Sequence, residues 1–432
     1  MIDLELHTSK PFPNRGVCIN RTLFKIHYLE NRMTRSDQYP PKKQRYLFLD
    51  NIKVLFTILV IYWHVMVTYV EAGWWYYKES NPVDPISYIF LLLLVSIGGI
   101  FQTSLLGLFF LLGGYFTPNS YDRKGAYSFW KERLIRIGIP LVLYIILINP
   151  IMIYALAKIG VAPWSTNLML QSSILDYYVG MFQTLGGAID FLSFAGPMWF
   201  LRFLLILTAI YTVWRQVTKL DFVKQRIPED LAIPRYSRLL LLALALGFLT
   251  FLVRIELPID TRPLEIPWGQ FIQYLMMFCI GVMCVRYRWF ERITRRQAEI
   301  WLVTIIVAML LVYMDFFLVL GIGADLSVFS GGLNAHALLF SFVDTIICMG
   351  VIFVLIKVFY AKYNTQGPTL SNFSMSAYHM YLVHPPILVA LSLGLALIDL
   401  SPIMKIGVVF PLAVLLCYLV SHFIIEKVHL RK

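Results

Sequence analysis

The sequence predicts an all-α integral membrane protein, a bundle of about ten transmembrane helices with both termini cytoplasmic. Three observations predict it. The chain of 432 residues is 59% hydrophobic, and its mean hydropathy is +0.69, well above the usage of soluble domains. The apolar residues fall in blocks long enough to cross the ~30 Å hydrocarbon core as helices and too long for ~10-residue barrel strands. Lys and Arg are confined to alternate connections. Arg123, Lys124, Lys131, Arg133 and Arg136 form one basic set, Arg215, Lys219, Lys224, Arg226, Arg235 and Arg238 a second, and Arg286, Arg288, Arg292, Arg295 and Arg296 a third. The intervening connections hold most of the acids, among them Glu71, Glu79, Asp84, Asp176, Asp190, Glu256, Asp260, Glu265 and Asp325. This alternation is the positive-inside pattern. It also assigns the net charge of +12 to anionic headgroups and excludes a nucleic-acid partner as its explanation.

Residues 1–44 are polar, basic and interrupted by Pro11, Pro13, Pro40 and Pro41. They read as a cytosolic tail of little order, of which residues 1–32 contribute nothing to the fold. They contain no apolar h-region of a signal peptide. From residue 45 to 432 the chain reads as one membrane domain. Its helices are expected over Ile52–Val70, Ile86–Leu112, Leu134–Leu156, Met198–Trp214, Leu239–Val253, Phe271–Val285, Ile300–Leu320, Ala335–Phe359, Phe373–Leu395 and Met404–Ile425. Each is an apolar run of membrane-spanning or near-spanning length, bounded by charge, Gly or Pro. Ile174–Phe194 has apolar blocks broken by Asp176, Gln183, Asp190 and several glycines, and reads as an interfacial stretch in an outer connection. The cysteines Cys18, Cys279, Cys284, Cys348 and Cys417 are scattered, with no CxxC pair. They fit neither a disulfide framework nor a metal site, and read as packing residues.

Ionisable residues inside membrane helices usually face the bundle interior, so the few present are the candidates for chemistry. The first helix carries Asp50, Lys53, Thr57, His64 and Thr68. At 100° per residue, Lys53 and His64 lie within about 20° of one another and about 16 Å apart along the axis. The others fall close to the same line, giving one polar stripe on an apolar cylinder. His384, in the ninth helix, reaches a similar depth. Asp344, in the eighth, orients a histidine or belongs to a packing network. A lone intramembrane histidine is also a common interhelical hydrogen-bonding residue. Gly113 and Gly114 stand at the expected end of the second helix, where backbones approach closely. Lys131, Arg133 and Arg136 open the third helix, with Arg133 and Arg136 three residues apart and so on one face. Arginine suits bidentate phosphate binding, although spacing alone reads equally well as an ordinary positive-inside cluster.

Four stretches, "YLFLDNIKVLFTILVIYWH", "GGYF" with "RLIRIGIP", "PMWFL" and "SAYHMYLVHPP", in that order over residues 45–425, resemble the acyltransferase-3 family of membrane acyltransferases. That family includes O-antigen acetyltransferases and glucan succinyltransferases. Lys53 and His64 match its Arg/Lys-x10-His pattern, and Arg133 and Arg136 match its Arg-x-x-Arg pattern. The resemblance implies an O-acyltransferase of the inner membrane, with no permanently bound cofactor and no metal. It would move an acetyl or succinyl group from cytosolic acyl-CoA to a hydroxyl of an extracytoplasmic carbohydrate or glycolipid. His64, with Lys53 and His384, would be catalytic. Arg133, Arg136, Lys131, Gly113 and Gly114 would hold the donor, and Trp63 and Trp199 would line the cavity. The rival reading from another class is a secondary transporter of an anionic solute; the sequence shows neither the paired repeats nor the broken midplane helices such proteins often have.

Overall fold

The computed structural model describes residues 46–70, 75–79, 85–161, 173–184, 195–218, 227–259, 261 and 266–429. The expected tail, residues 1–44, lies outside them. Leu47–Lys432 forms one compact unit.

Among the described residues the chain is helical, with no strand. Helix α1 spans Leu47–Val70. Helix α2 (Pro85–Arg133) continues through π-helical Leu134–Gly138, α3 (Ile139–Leu143), π-helical Tyr144–Ile148 and α4 (Asn149–Lys158). Then come α5 (Ile174–Thr184), α6 (Trp199–Val217), α7 (Tyr236–Glu256) and α8 (Phe271–Tyr287). They are followed by α9 (Trp289–Arg292), α10 (Arg295–Gly321), α11 (Ala335–Lys362), α12 (Pro368–Ala396) and α13 (Pro402–His429). Nine helical segments among the described residues are long and apolar enough to cross a membrane.

One of those nine, Gln102–Lys158, is 57 residues long, about 85 Å of helix at 1.5 Å per residue and nearly three hydrocarbon thicknesses. Gly125, with φ 73° and ψ 166°, breaks it. Such a backbone is open to glycine and strained for other residues. The expected second and third helices are therefore joined by a single non-helical residue. The first runs well past Leu112 and the second starts well before Leu134, which puts Arg123, Lys124, Lys131 and Arg133 in helix where the sequence suggested a connection. Polarity misled because a helix need be apolar only where it meets hydrocarbon. Helix α5 has 11 residues, about 17 Å, too short to span. The remainder of Ile174–Phe194 lies outside the described residues.

In lipid, helices associate through close packing and polar contacts rather than through exclusion of water. Helix α2 meets α8 at paired glycines: a Cβ at Gly114 would stand 2.0 Å from the Phe278 carbonyl oxygen, and one at Gly281 2.0 Å from that of Leu111. Helix α1 packs against α2, α12 and α13, while α11 lies against α7, α10 and α2. At the C-terminal half of α1 a core forms from Ile61, Val65, Met380, Leu388 and Val409, joined by Trp75 from the connection beyond α1. Val303, Ile306, Val307, Leu310 and Met314 of α10 are exposed; their 3–4-residue spacing makes one apolar stripe suited to lipid.

Two ion pairs among the described residues are buried. Arg254 of α7 donates to Asp344 of α11 at 2.5 Å, to Ser341 Oγ at 3.2 Å and to the Gly269 carbonyl at 3.0 Å, and neither charged side chain is more than 4% exposed. Asp344 thus belongs to a packing network, and no histidine is among its partners in the described residues. Removing one partner of such a pair costs about 3–5 kcal/mol, because the other charge is left buried alone. Lys405 of α13 pairs with Glu79 in the connection beyond α1.

Candidate active site

A cavity of about 300 Å³ opens between α1, α2, α6 and α12. Its lining includes Lys53, Thr57, Val60, Trp63 and His64 from α1, so Lys53, Thr57 and His64 of the stripe face one space, while Asp50 and Thr68 are buried outside it. A helix places residues 4, 7 and 11 apart near one face, which is why these side chains converge. From α2 come Gln102, Leu105, Phe109, Gly113, Phe116 and Arg133, from the PMWFL stretch Pro197, Trp199, Phe200 and Leu201, and from α12 Ser374, Ala377, Tyr378 and Tyr381.

The Lys53 end is cationic. Lys53 pairs with Asp50 at 2.6 Å and stands 5.2 Å above the Phe116 ring. Arg133 donates to Thr117 Oγ1 at 2.9 Å and lies over Phe129 at 5.3 Å. Thr117 in turn donates to the Gly113 carbonyl at 2.6 Å. Arg136 parts company with Arg133: it is 74% exposed, pairs with Glu132 at 3.1 Å, and is absent from the lining. The physical reason is the π-helical turn over Leu134–Gly138, which holds more residues per turn than an α-helix, so that a step of three no longer returns to the same face. Its backbone carbonyl, by contrast, accepts the Tyr378 hydroxyl at 2.5 Å. Lys131 is exposed and outside the lining, and Gly114 packs against Phe278 rather than facing the cavity.

The other end is lined by His64, with the buried His384 packed against it outside the lining. His64 and His384 rings are 5.0 Å apart between centroids, and Trp75 stacks on His64 at 4.1 Å. His64 Nδ1 lies 2.9 Å from the Val60 carbonyl. A carbonyl only accepts, so Nδ1 carries the hydrogen and the neutral ring keeps its lone pair on Nε2. The same reasoning applies to His384, whose Nδ1 is 2.6 Å from the Tyr381 carbonyl. His384 is fully buried, and its Nε2 has no hydrogen-bond partner among the described residues. Tyr381, beside it, donates to the Pro197 carbonyl at 2.6 Å and so ties α12 to the PMWFL stretch.

The structure brings Lys53, His64, Gly113 and Arg133 onto one cavity, with Trp63 and Trp199 among its walls, and sets His384 directly behind His64. It leaves Lys131, Arg136 and Gly114 outside the lining. Sequence reasoning missed Trp75, whose stacking depends on a fold-back no periodicity announces. It also missed the Glu79–Lys405 pair, although Lys405, a cation at the start of α13 where the charge alternation calls for none, was the available signal.

No curated protein and no solved structure matches the chain. The family model described as an acyltransferase domain, acyltransferase-3, matches residues 46–422, the stretch that carries every residue of the cavity. The chain therefore belongs to the acyltransferase-3 family and is an acyltransferase embedded in membrane, transferring groups other than amino-acyl groups.

Proposed function

We propose that this enzyme crosses the inner membrane ten times with both termini cytoplasmic, and moves a short acyl group from cytosolic acyl-CoA to a hydroxyl of an extracytoplasmic carbohydrate or glycolipid. The observation that carries this reading is one cavity lined by the cations Lys53 and Arg133 at one end and by His64, with the buried His384 packed against it, at the other. Lys53 and His64 are about 16 Å apart along α1, a length suited to the pantetheine arm of CoA. Phosphates rest near Arg133 and Lys53, where guanidinium and ammonium meet them. The thioester then lies beside His64.

The acceptor hydroxyl gives its proton to His64 Nε2 as its oxygen attacks the thioester carbonyl carbon. The carbon–sulfur bond breaks, the CoA thiolate leaves, and the imidazolium returns the proton to sulfur. The lining is largely apolar or aromatic, with Trp63, Leu105, Trp199 and Phe200 among its walls and Gln102 among its few uncharged polar groups, and its cations are Lys53 and Arg133. Burying a carboxylate without a partner is expensive, so between the acetyl and succinyl types this wall favours acetyl.

The test uses purified protein in detergent. Acetyl-CoA should bind and be slowly hydrolysed, and should outcompete succinyl-CoA as donor. His64→Gln, which keeps a hydrogen-bonding side chain but supplies no base, should bind CoA normally and lose transfer by about 10²–10⁴-fold. Near-parental transfer by His64→Gln would remove His64 from the chemistry, and the absence of any CoA binding would remove the donor assignment.

A further inference from the structure

Beyond α1 the chain folds back onto His64. Trp75 is fully buried, with its ring 4.1 Å from that of His64 and inclined by 30°, and 6.2 Å from that of His384, inclined by 13°. Its indole N–H has no partner among the described residues, so ring packing rather than hydrogen bonding fixes its place. Two of the four residues that follow, Tyr76 and Glu79, are tied down. Tyr76 hydrogen-bonds to Asn149 and lies 3.0 Å from the Tyr144 hydroxyl. The Glu79 N–H donates to the Thr68 carbonyl at 2.9 Å, and the Thr68 hydroxyl donates to the His64 carbonyl at 2.9 Å. The Glu79 carboxylate pairs with Lys405 of α13, and the two side chains are 9% and 3% exposed. Burial of both charges is a poor way to gain stability. What it does supply is one defined position for the segment.

We propose that residues 75–79 form a strap, latched to α13 by Lys405, whose task is to hold the His64 imidazole in its working orientation, with Trp75 as the positioning residue. This inference rests on His64 being the base. The hydrogen bond from Nδ1 to the Val60 carbonyl fixes one edge of the ring. The Trp75 ring stacked on the imidazole, with His384 also in contact with it, restricts the plane and with it the direction of Nε2. Displacements of about 1 Å at a reacting group cost as much as 10²-fold in rate.

The experiment compares Trp75→Leu, the double variant Glu79→Gln/Lys405→Met and Lys405→Arg, in full-length protein, by transfer kinetics and CoA affinity. Trp75→Leu keeps an apolar filling but no ring. The double variant loses the latch and leaves no charge buried alone. Both should lower kcat about 10–100-fold with CoA affinity unchanged, and Lys405→Arg, which keeps the latch, should retain most of the transfer. In both damaged variants, diethyl pyrocarbonate should modify His64 faster, as the ring loses its cover. Parental kcat in Trp75→Leu and in the double variant, alongside inactive His64→Gln, would overturn the strap and leave the base intact. Active His64→Gln would instead bring down the reading beneath it. Where Trp75→Leu fails to fold, the double variant carries the decision.

Discussion

Arg133 and Arg136 look equivalent in the sequence, and the structure gives them different work. Arg133 faces the cavity with its guanidinium steadied by Thr117 and Phe129, whereas Arg136 is spread on the surface against Glu132. Arg133→Lys keeps the charge and loses the fork, so it should weaken CoA binding about 10-fold or more, the worth of one hydrogen bond to a charged group. Arg136→Lys should bind CoA like the parent. Titration calorimetry with CoA checks both, and equal affinities in parent and Arg133→Lys would show that the guanidinium is no clamp. At this scale the sequence was informative where one helix did the arranging: the 11-residue step from Lys53 to His64 survives intact as two walls of a cavity. It was uninformative where a loop did so. Trp75 stands 11 residues beyond His64, across a chain reversal, and its ring reaches the imidazole only because the chain doubles back.

The glycine seam between α2 and α8 sets how closely those helices approach and therefore where Gly113 and Phe116 present the cavity wall. A side chain at Gly114 would collide with backbone, which yields less readily than a flexible side chain. Gly114→Leu should accordingly lower stability by about 1–3 kcal/mol or more, seen as a lower thermal midpoint in detergent. An unchanged midpoint would mean that the helices can separate without loss. Element positions were legible from apolar length; where α2 stops was not. Thr117, Pro118 and Asn119 look like the start of a connection, yet the helix continues through Pro118 to the break at Gly125.

For the molecule as a whole, the charge alternation makes a directional prediction. In a cysteine-free background, cysteine at Asp325 should react with an impermeant thiol reagent added outside intact cells, and cysteine at Arg292 should react only after permeabilisation. The opposite labelling would invert the bundle and place the cationic end of the cavity away from cytosolic CoA. The bundle's class was legible because lipid imposes a simple rule on length and polarity. Its internal polar pairings were not: Arg254 finds Asp344 across 90 positions and Lys405 finds Glu79 across 326, contacts that exist only once distant helices are adjacent.

The Arg254–Asp344 pair also bears on how the protein enters the bilayer during synthesis. Arg254 is two residues from the end of α7, where a long side chain can reach the headgroups while it waits. Asp344 is nine residues into α11, about 14 Å from that helix's start, and its short side chain has no such refuge. The ribosome makes α7 first. When the helix with the deep carboxylate leaves the translocon, its counter-charge is already in the membrane, so the order of the genetic text spares the later helix a solitary passage.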